Sequence, residues 1–386
     1  MLSPKPFFTV PQLGYWLLVV LLGGLAGGIA GYVSAQTVAG GLDSRLSQLW
    51  SRVSAPVATT TTTSNTGETR QIVPLEAARR PVYPSAFSNR SASPMLPLIR
   101  KAGLKLTEPT TLPAERIQGY GVSLTSDGWI VMPSAALTGL LADYGIVWRS
   151  RVYPITQAVR DRMSGLVFAK IEATNLPVTA FVSPLDVVPG LGVWVETEPR
   201  QLRSETITAT DARASRDATV SEQLNRRFQI SFHETTIRPG TPVWSEGGGL
   251  VGLILASDQA GTRVIPTTAI SSSLSQVLAA RSLQRATLGL RVQDLSSLIS
   301  EGARPDWPEQ GILIRQVIST STAKFLQEGD VIERIDRDSF DGIVDLGERL
   351  LDYRPGTVIT LQGIRKGKAF QVDIPLQATT TGEMLK

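Results

Sequence analysis

The chain has 386 residues, 42% of them apolar and 19% charged, with 38 basic and 34 acidic side chains and a net charge of +4. That length calls for two or three domains, and so mild and dispersed a basic excess argues against nucleic acid as a partner. With no cysteine and a single histidine, His233, a thiol nucleophile, a disulfide framework and cysteine-type zinc sites are excluded, and only one imidazole can serve as a base.

Residues 1–13 read as a cytoplasmic tail and residues 14–34 as a transmembrane helix. No residue from Pro6 to Leu42 is charged, and Tyr15–Val33 (YWLLVVLLGGLAGGIAGYV) is apolar or glycine throughout. At about 1.5 Å per residue that run spans a bilayer core. Tyr15, Trp16 and Tyr32 stand at its ends, where an aromatic belt lies. The competing reading is a secretory leader cleaved near Val33-Ser34-Ala35; the apolar run is long for one, and Lys5 is the only charge before it. Lys5 before the run, and Asp43 and Arg45 after it, put the N-terminus inside and the globular part outside. The expectation is a single-pass protein of the cytoplasmic membrane with periplasmic or extracellular domains. Gly23, Gly27 and Gly31 share one helix face, as do Gly24 and Gly28. They are either a packing face for another helix or the ordinary glycine content of membrane helices.

Residues 35–97 read as a linker. Leu42, Leu46, Leu49 and Val53 form one helical stripe, a short amphipathic or self-associating segment. APVATTTTTSNTG (Ala55–Gly67) has too little apolar surface to fold, and Pro74, Pro81, Pro84, Pro94 and Pro97 keep the chain extended.

From residue 98 to 283 short alternating runs are separated by turn signals: GYGVSLTSDGWIVMP, GIVWRSRVYPI, GLVFAKI, LGVWVETEP, TITATDA, RRFQISF and GGLVGLILA. Strands at this spacing make an all-β barrel or sandwich. Ser126-Asp127-Gly128 marks a hairpin, and Ala269–Ser282 a closing helix with Ile270, Leu274, Val277 and Leu278 on its apolar face. The polar stretch Gln201–Arg227 is expected to be mobile at its centre. Residues 285–378 form a third, β-rich α/β unit. It contains TLGLRV, GILIRQVI, the turn Gly329-Asp330-Val331-Ile332, a helix at about Val344–Tyr353 and two final strands. Residues 379–386 are a tail.

The last two units together resemble the HtrA/DegP family, a chymotrypsin-like double β-barrel protease followed by a PDZ domain, and the N-terminal anchor fits its membrane-bound branch. Gly119–Leu137 (GYGVSLTSDGWIVMPSAAL) keeps the glycines, the Ser-Asp-Gly turn and the Ile-Val strand end of the family's first signature. The catalytic histidine falls on Ala135. Gly165–Pro177 (GLVFAKIEATNLP) follows the second signature, with the catalytic aspartate on Gly165. His233–Gly240 (HETTIRPG) follows the third and passes directly to Thr241-Pro242-Val243-Trp244, without the glycine turn that holds the nucleophile. The resemblance thus implies the frame of a serine protease with degenerate triad positions at Ala135, Gly165, Thr241 and Pro242. A triad needs a hydroxyl, a hydrogen-bonded base, an orienting acid and preorganised N–H donors. Ala135 takes no proton, Gly165 orients no imidazole, and Pro242 stiffens a turn that needs freedom. The chain is therefore expected to be an inactive serine protease homologue, not an enzyme. An active endopeptidase with an unorthodox site, for instance Ser134 with His233, and a purely structural membrane protein are the alternatives. Asp161, Asp211 and His233 read as turn, surface or strand residues. Glu196 and Glu198 stand in a loop that lies beside the family's active site.

In the PDZ-like unit the resemblance implies that backbone N–H groups of Thr287-Leu288-Gly289-Leu290 hold the carboxylate of a C-terminal peptide added as a strand. Gly289 would let that peptide approach, Leu288 and Leu290 would wall the pocket for its last side chain, and Leu346 and Leu350 would face it from the helix or serve as core. Expected partners are C-terminal peptides of envelope proteins, the lipid bilayer, and further copies of the chain, as a trimer by resemblance. No cofactor, metal or nucleic acid is expected.

Overall fold

A computed structural model describes residues 85–88, 92–104, 111–258, 261–279, 283–299, 307–342 and 344–385. The membrane segment, the leucine stripe and the threonine-rich spacer lie outside the described residues. Among the described residues, no helix is long and apolar enough to cross a membrane.

After a short helix α1 (Ser85–Ser88) come β1 (Met95–Arg100), β2 (Ile117–Ser123), β3 (Trp129–Pro133), β4 (Tyr144–Trp148), β5 (Arg151–Asp161) and β6 (Leu166–Ile171). They run antiparallel in the order β5-β4-β1-β2-β3-β6, and β6 pairs again with β5, so the sheet closes into a six-stranded barrel. Strand β1 begins inside the expected linker; Pro97 fits because β1 meets β4 only from Leu98 onward. Ser126-Asp127-Gly128 turns β2 into β3, as its sequence indicates. Gly128 has a φ of +111°, and a Cβ there would stand 2.1 Å from the Ile171 carbonyl oxygen, so only glycine fits.

The second barrel uses β7 (Gly192–Glu198), β8 (Gln201–Arg213), β10 (Arg226–Ile230), β11 (Pro242–Ser245), β12 (Leu250–Asp258) and β13 (Gly261–Pro266), closed in the order β10-β13-β12-β11-β7-β8. A two-residue strand, β9 (Thr219–Val220), interrupts the excursion between β8 and β10 and leaves this barrel altogether. The stretch Gln201–Arg227, expected to be mobile at its centre, instead places β9 there as a docked strand. Inward residues alternate along each strand: Val193, Val195, Phe228, Ile230, Val243, Val251 and Val264 fill this barrel. A second core joins the barrels, where Val122, Val131 and Phe168 meet Trp194, Trp244, Leu253 and Ile270. Each such side chain contributes about 1.5–3 kcal/mol on burial.

Helix α2 (Thr267–Leu278) closes the barrels, burying Ala269, Ile270 and Val277. The third unit follows with β14 (Gln284–Thr287), β15 (Leu290–Asp294), β16 (Ile312–Val317), β17 (Val331–Ile335), β18 (Asp338–Ser339), helix α3 (Leu346–Leu350), β19 (Val358–Arg365) and β20 (Lys368–Pro375). Its sheet runs β20-β19-β17-β16-β15-β9, so the borrowed strand β9 is its far edge. The expected tail is not loose. Strand β21 (Gln377–Thr380) pairs with β14, and β22 (Gly382–Leu385) pairs with β5 of the first barrel, Gly382 opposite Asp161. Strand β22 thus joins the end of the third unit to the first barrel.

Candidate functional site

The three protease-like signatures converge at one place between the barrels. Strand β3 ends at Pro133 and runs into a 3-10 turn, Ser134–Ala136. The Ser134 N–H donates to the Gly165 carbonyl at 2.8 Å, which sets the first two signatures side by side. Gly165 closes the β5–β6 turn with a φ of +75° and donates to the Asp161 carbonyl at 3.0 Å. The third signature reaches the same spot through Pro239. A Cβ on Gly119 would lie 2.7 Å from the Pro239 carbonyl oxygen and 2.8 Å from the Ala136 Cβ.

At that junction Ala135 is exposed and carries no polar atom beyond its backbone. Thr241 is fully buried; its Oγ1 donates to the Arg238 carbonyl at 2.9 Å, and its own carbonyl accepts from the Ile254 N–H at 2.9 Å. Pro242 is already a barrel residue, paired with Leu253. The Thr241 hydroxyl is therefore committed to closing a turn. Ser134 is half-buried, and its backbone bond to Gly165 places it at the junction. His233 lies exposed in the loop beyond β10, not on a strand as expected, and Asp211 is exposed on β8.

The acids nearby behave differently from one another. Glu198 is exposed, but Glu196 is buried: its Oε2 accepts from Trp244 Nε1 at 2.9 Å and its Oε1 from the Arg200 N–H at 2.8 Å. Tyr120 is buried next to them. Burial pushes its hydroxyl pKa up, Arg238 pulls it down, and Glu198 and Glu196 push it up again, leaving it above the ordinary value. Asp161, expected as a turn or surface acid, stands at the β5–β6 turn but is fully buried and paired with Arg285 at 2.6 Å. No local pattern signalled that pairing beyond the Asp161-x-x-Ser164-Gly165 turn.

In the third unit, Leu288, Leu290, Leu346 and Leu350 are all buried in one cluster with Ile312, Ile314, Leu326 and Ile332. The leucines of the loop and of α3 thus meet, as core. Gly289 is required by the loop's own backbone. Its φ is +65°, and a Cβ would stand 2.5 Å from the Ser319 Cβ. Its carbonyl accepts from the Ile318 and Ser319 N–H groups at 2.8 and 3.0 Å, and its N–H donates to Thr287 Oγ1 at 2.8 Å. The residues that the sequence did not single out here are Ser221, Glu222 and Asp345, which lie against the same loop and helix. Only Asp345 carried a readable signal: an aspartate three residues before Glu348 is a helix start, and its Oδ1 accepts the Glu348 N–H at 2.7 Å. Among the described residues no group of acids and histidine is arranged to hold a metal ion.

No family model matches the chain. It is 24% identical over 167 residues to the periplasmic pH-dependent serine endoprotease DegQ of Escherichia coli, covering 43% of this chain and 35% of that one. It is 26% identical over 171 residues to a probable periplasmic serine endoprotease, DegP-like, of Bartonella henselae, covering 44% and 32%. The chain therefore spans about a third of the length of these curated relatives. Among solved structures, the HtrA-type protease AlgW with decapeptide superposes with a TM-score of 0.54 at 19% identity, over 76% of this chain and 98% of that one, which shows the fold. The chain is thus similar to the HtrA/DegP serine proteases in sequence and in its double-barrel frame. The expectation that it is not an enzyme is corrected by this finding: the relatives are named as serine endoproteases, which points towards a protease.

Proposed function

We propose that the chain handles polypeptides outside the cytoplasm as an HtrA-type protein, with the third unit acting as a PDZ domain that takes up exposed C-termini and the barrels as the sensing body. The observation that carries this reading is the loop Thr287–Leu290. It leads directly into β15, a strand at the edge of the unit's own sheet, with α3 packed on the same core. That is the layout in which an extended peptide adds as a strand and leaves its carboxylate at the loop. The names of the relatives supply the compartment. Anchoring by residues 14–34 and assembly as a trimer through the barrels belong to the same proposal. The test is fluorescence anisotropy of ten-residue peptides with an apolar C-terminal residue on the full-length chain. Binding of the free carboxylate and loss of binding on C-terminal amidation support the reading; indifference to amidation sinks it.

Peptide-bond hydrolysis is the second reading, favoured by the relatives' names and by the position of Ser134 at the junction of the three signatures. Cleavage of unfolded casein by the full-length chain, abolished by Ser134→Ala and retained by Thr241→Ser, would establish it. Cleavage unchanged by Ser134→Ala would remove Ser134 from consideration.

A further inference from the structure

The edge of β15 is already occupied by a strand from the chain's own second barrel. Strand β9 lies antiparallel to it, with Val220 opposite Arg291 and Thr219 opposite Val292. The Ser221 N–H donates to the Leu290 carbonyl at 2.9 Å, extending that ladder to the mouth of the loop. There the Glu222 carboxylate, almost fully buried, accepts from Thr287 Oγ1 at 2.7 Å and from Ser221 Oγ at 2.9 Å. An extended strand, antiparallel to β15, with a carboxylate at the first residue of the loop, is what a C-terminal peptide would present. Glu222 supplies that carboxylate from a side chain.

The segment is held on its other flank by α3. The Asn225 and Arg226 N–H groups both donate to Asp345 Oδ2, at 2.7 and 2.8 Å, and Arg226 Nη2 is 2.6 Å from Glu348 Oε1. A Cβ on Gly347 would lie 2.2 Å from the Gln223 carbonyl oxygen, so the segment runs directly over the helix. Residues 219–226 therefore run along β15 and over the start of α3.

We propose that this segment is an intramolecular pseudo-ligand: Thr219–Glu222 closes the peptide groove in cis, and a polypeptide C-terminus binds only by displacing it. The inference rests on the peptide-binding reading of the third unit. Because only the fraction with an open groove binds, the apparent affinity falls by that fraction.

The experiment uses the full-length chain and two variants that leave β15 and α3 intact. Ser221→Pro removes the N–H that donates to Leu290. Glu222→Ala removes the carboxylate and leaves Ser221 Oγ and Thr287 Oγ1, 3.2 Å apart, to satisfy each other. The probes are fluorescein-labelled ten-residue peptides ending in a free carboxylate after an apolar residue, and the same peptides amidated. Both variants should bind the free-carboxylate peptides about tenfold more tightly than the parent chain, with the amidated peptides not bound. Addition of peptide to the parent should also release hydrogen-exchange protection at the Ser221 amide. Equal affinity in parent and variants overturns the pseudo-ligand while leaving the groove reading intact. Absence of carboxylate-dependent binding in all three, with each folded by near-UV circular dichroism, overturns both.

Discussion

Arg285 Nη2 lies 2.6 Å from Asp161 Oδ2, with both side chains buried, and this pair ties the third unit to the first barrel. Ser164 and Ser273 hydroxyls donate to the same carboxylate oxygen at 2.7 and 3.0 Å, and the Met163 N–H donates to Oδ1 at 3.1 Å. The acid is thus saturated with donors. Removing one partner of such a pair leaves a charge uncompensated in the interior. Asp161→Ala should lower stability by about 3–5 kcal/mol, read as a lower midpoint in urea unfolding. The double variant Asp161→Leu, Arg285→Met should recover much of that loss. A double variant as unstable as the single would show that the pair is not coupled.

The same pair makes stability pH-dependent. Burial pushes the Asp161 carboxyl up, but the Arg285 charge and the hydrogen bonds from Arg285, Ser164 and the Met163 N–H outweigh it and hold the carboxyl below its usual range. A depressed folded-state pKa contributes stability that is complete above the unfolded value of about 3.9 and is lost as pH falls through the folded value. Unfolding free energy should therefore drop below about pH 4 more steeply in the parent than in the Asp161→Leu, Arg285→Met variant. Parallel curves in the two would refute the assignment.

Gly240 meets the first barrel so closely that no side chain fits. Its φ is +88°, and a Cβ would stand 1.8 Å from the Tyr120 carbonyl oxygen. The backbone strain alone is worth roughly 1–3 kcal/mol in an alanine variant, and the clash adds to it by forcing β2 away from the Pro239 carbonyl that accepts the Tyr120 N–H at 2.9 Å. Gly240→Ala should depress the thermal midpoint by several degrees, whereas Gly190→Ala, whose Cβ would meet nothing within 4 Å, should carry the left-handed penalty alone. Equal shifts in the two would show that the clash is relieved at no energetic loss.

Glu196 holds the indole of Trp244 on the face of the second barrel opposite to its Val195 and Val243 filling, and both are almost completely buried. Glu196→Leu removes an acceptor from the Trp244 Nε1–H and from the Arg200 N–H. A buried donor that loses its acceptor costs about 1–3 kcal/mol, and the indole loses its carboxyl neighbour. A destabilised protein with a shifted tryptophan emission is expected; an unchanged spectrum and midpoint would mean that water takes over both bonds.

The returning chain end separates a strand's contribution from that of a surface ion pair. Arg162 and Glu383 are 3.2 Å apart, but their side chains are 61% and 41% exposed. Exposed pairs contribute between nothing and about 1 kcal/mol, so Glu383→Ala should be nearly neutral in urea unfolding. Deleting residues 382–386 removes the whole β22–β5 ladder and should be clearly more destabilising. If the two changes cost the same, the ladder contributes nothing of its own.

Much of the frame was legible from residues near one another in the chain. Alternating apolar runs are strands because side chains point to opposite faces, and the runs around Val131, Phe168, Val195 and Val251 all became barrel strands. Ser126-Asp127-Gly128 marked its hairpin because the turn demands a left-handed glycine, and the apolar spacing of Ile270 and Val277 marked α2. These features follow from local backbone preference and from period, which a sequence displays directly. The resemblance of the three signatures to those of the HtrA/DegP family implied a double-barrel frame, which the fold bears out.

What the tertiary structure decided is everything that depends on where distant segments meet. Asp161 and Arg285 are far apart in the chain, and nothing beside either announces the other, so the acid read as a turn or surface residue. Gln201–Arg227 read as mobile because it is polar. Its Glu222 and Asn225 are buried by partners on β14 and α3 that only folding supplies. The last residues read as a tail because a strand of four has no period long enough to show, and β22 exists only because β5 offers it an edge. Polar side chains satisfied across long separations leave no trace in local composition. That is why the sequence by itself displayed the alternating strands and their turns, and why only the fold revealed that β9 pairs with β15.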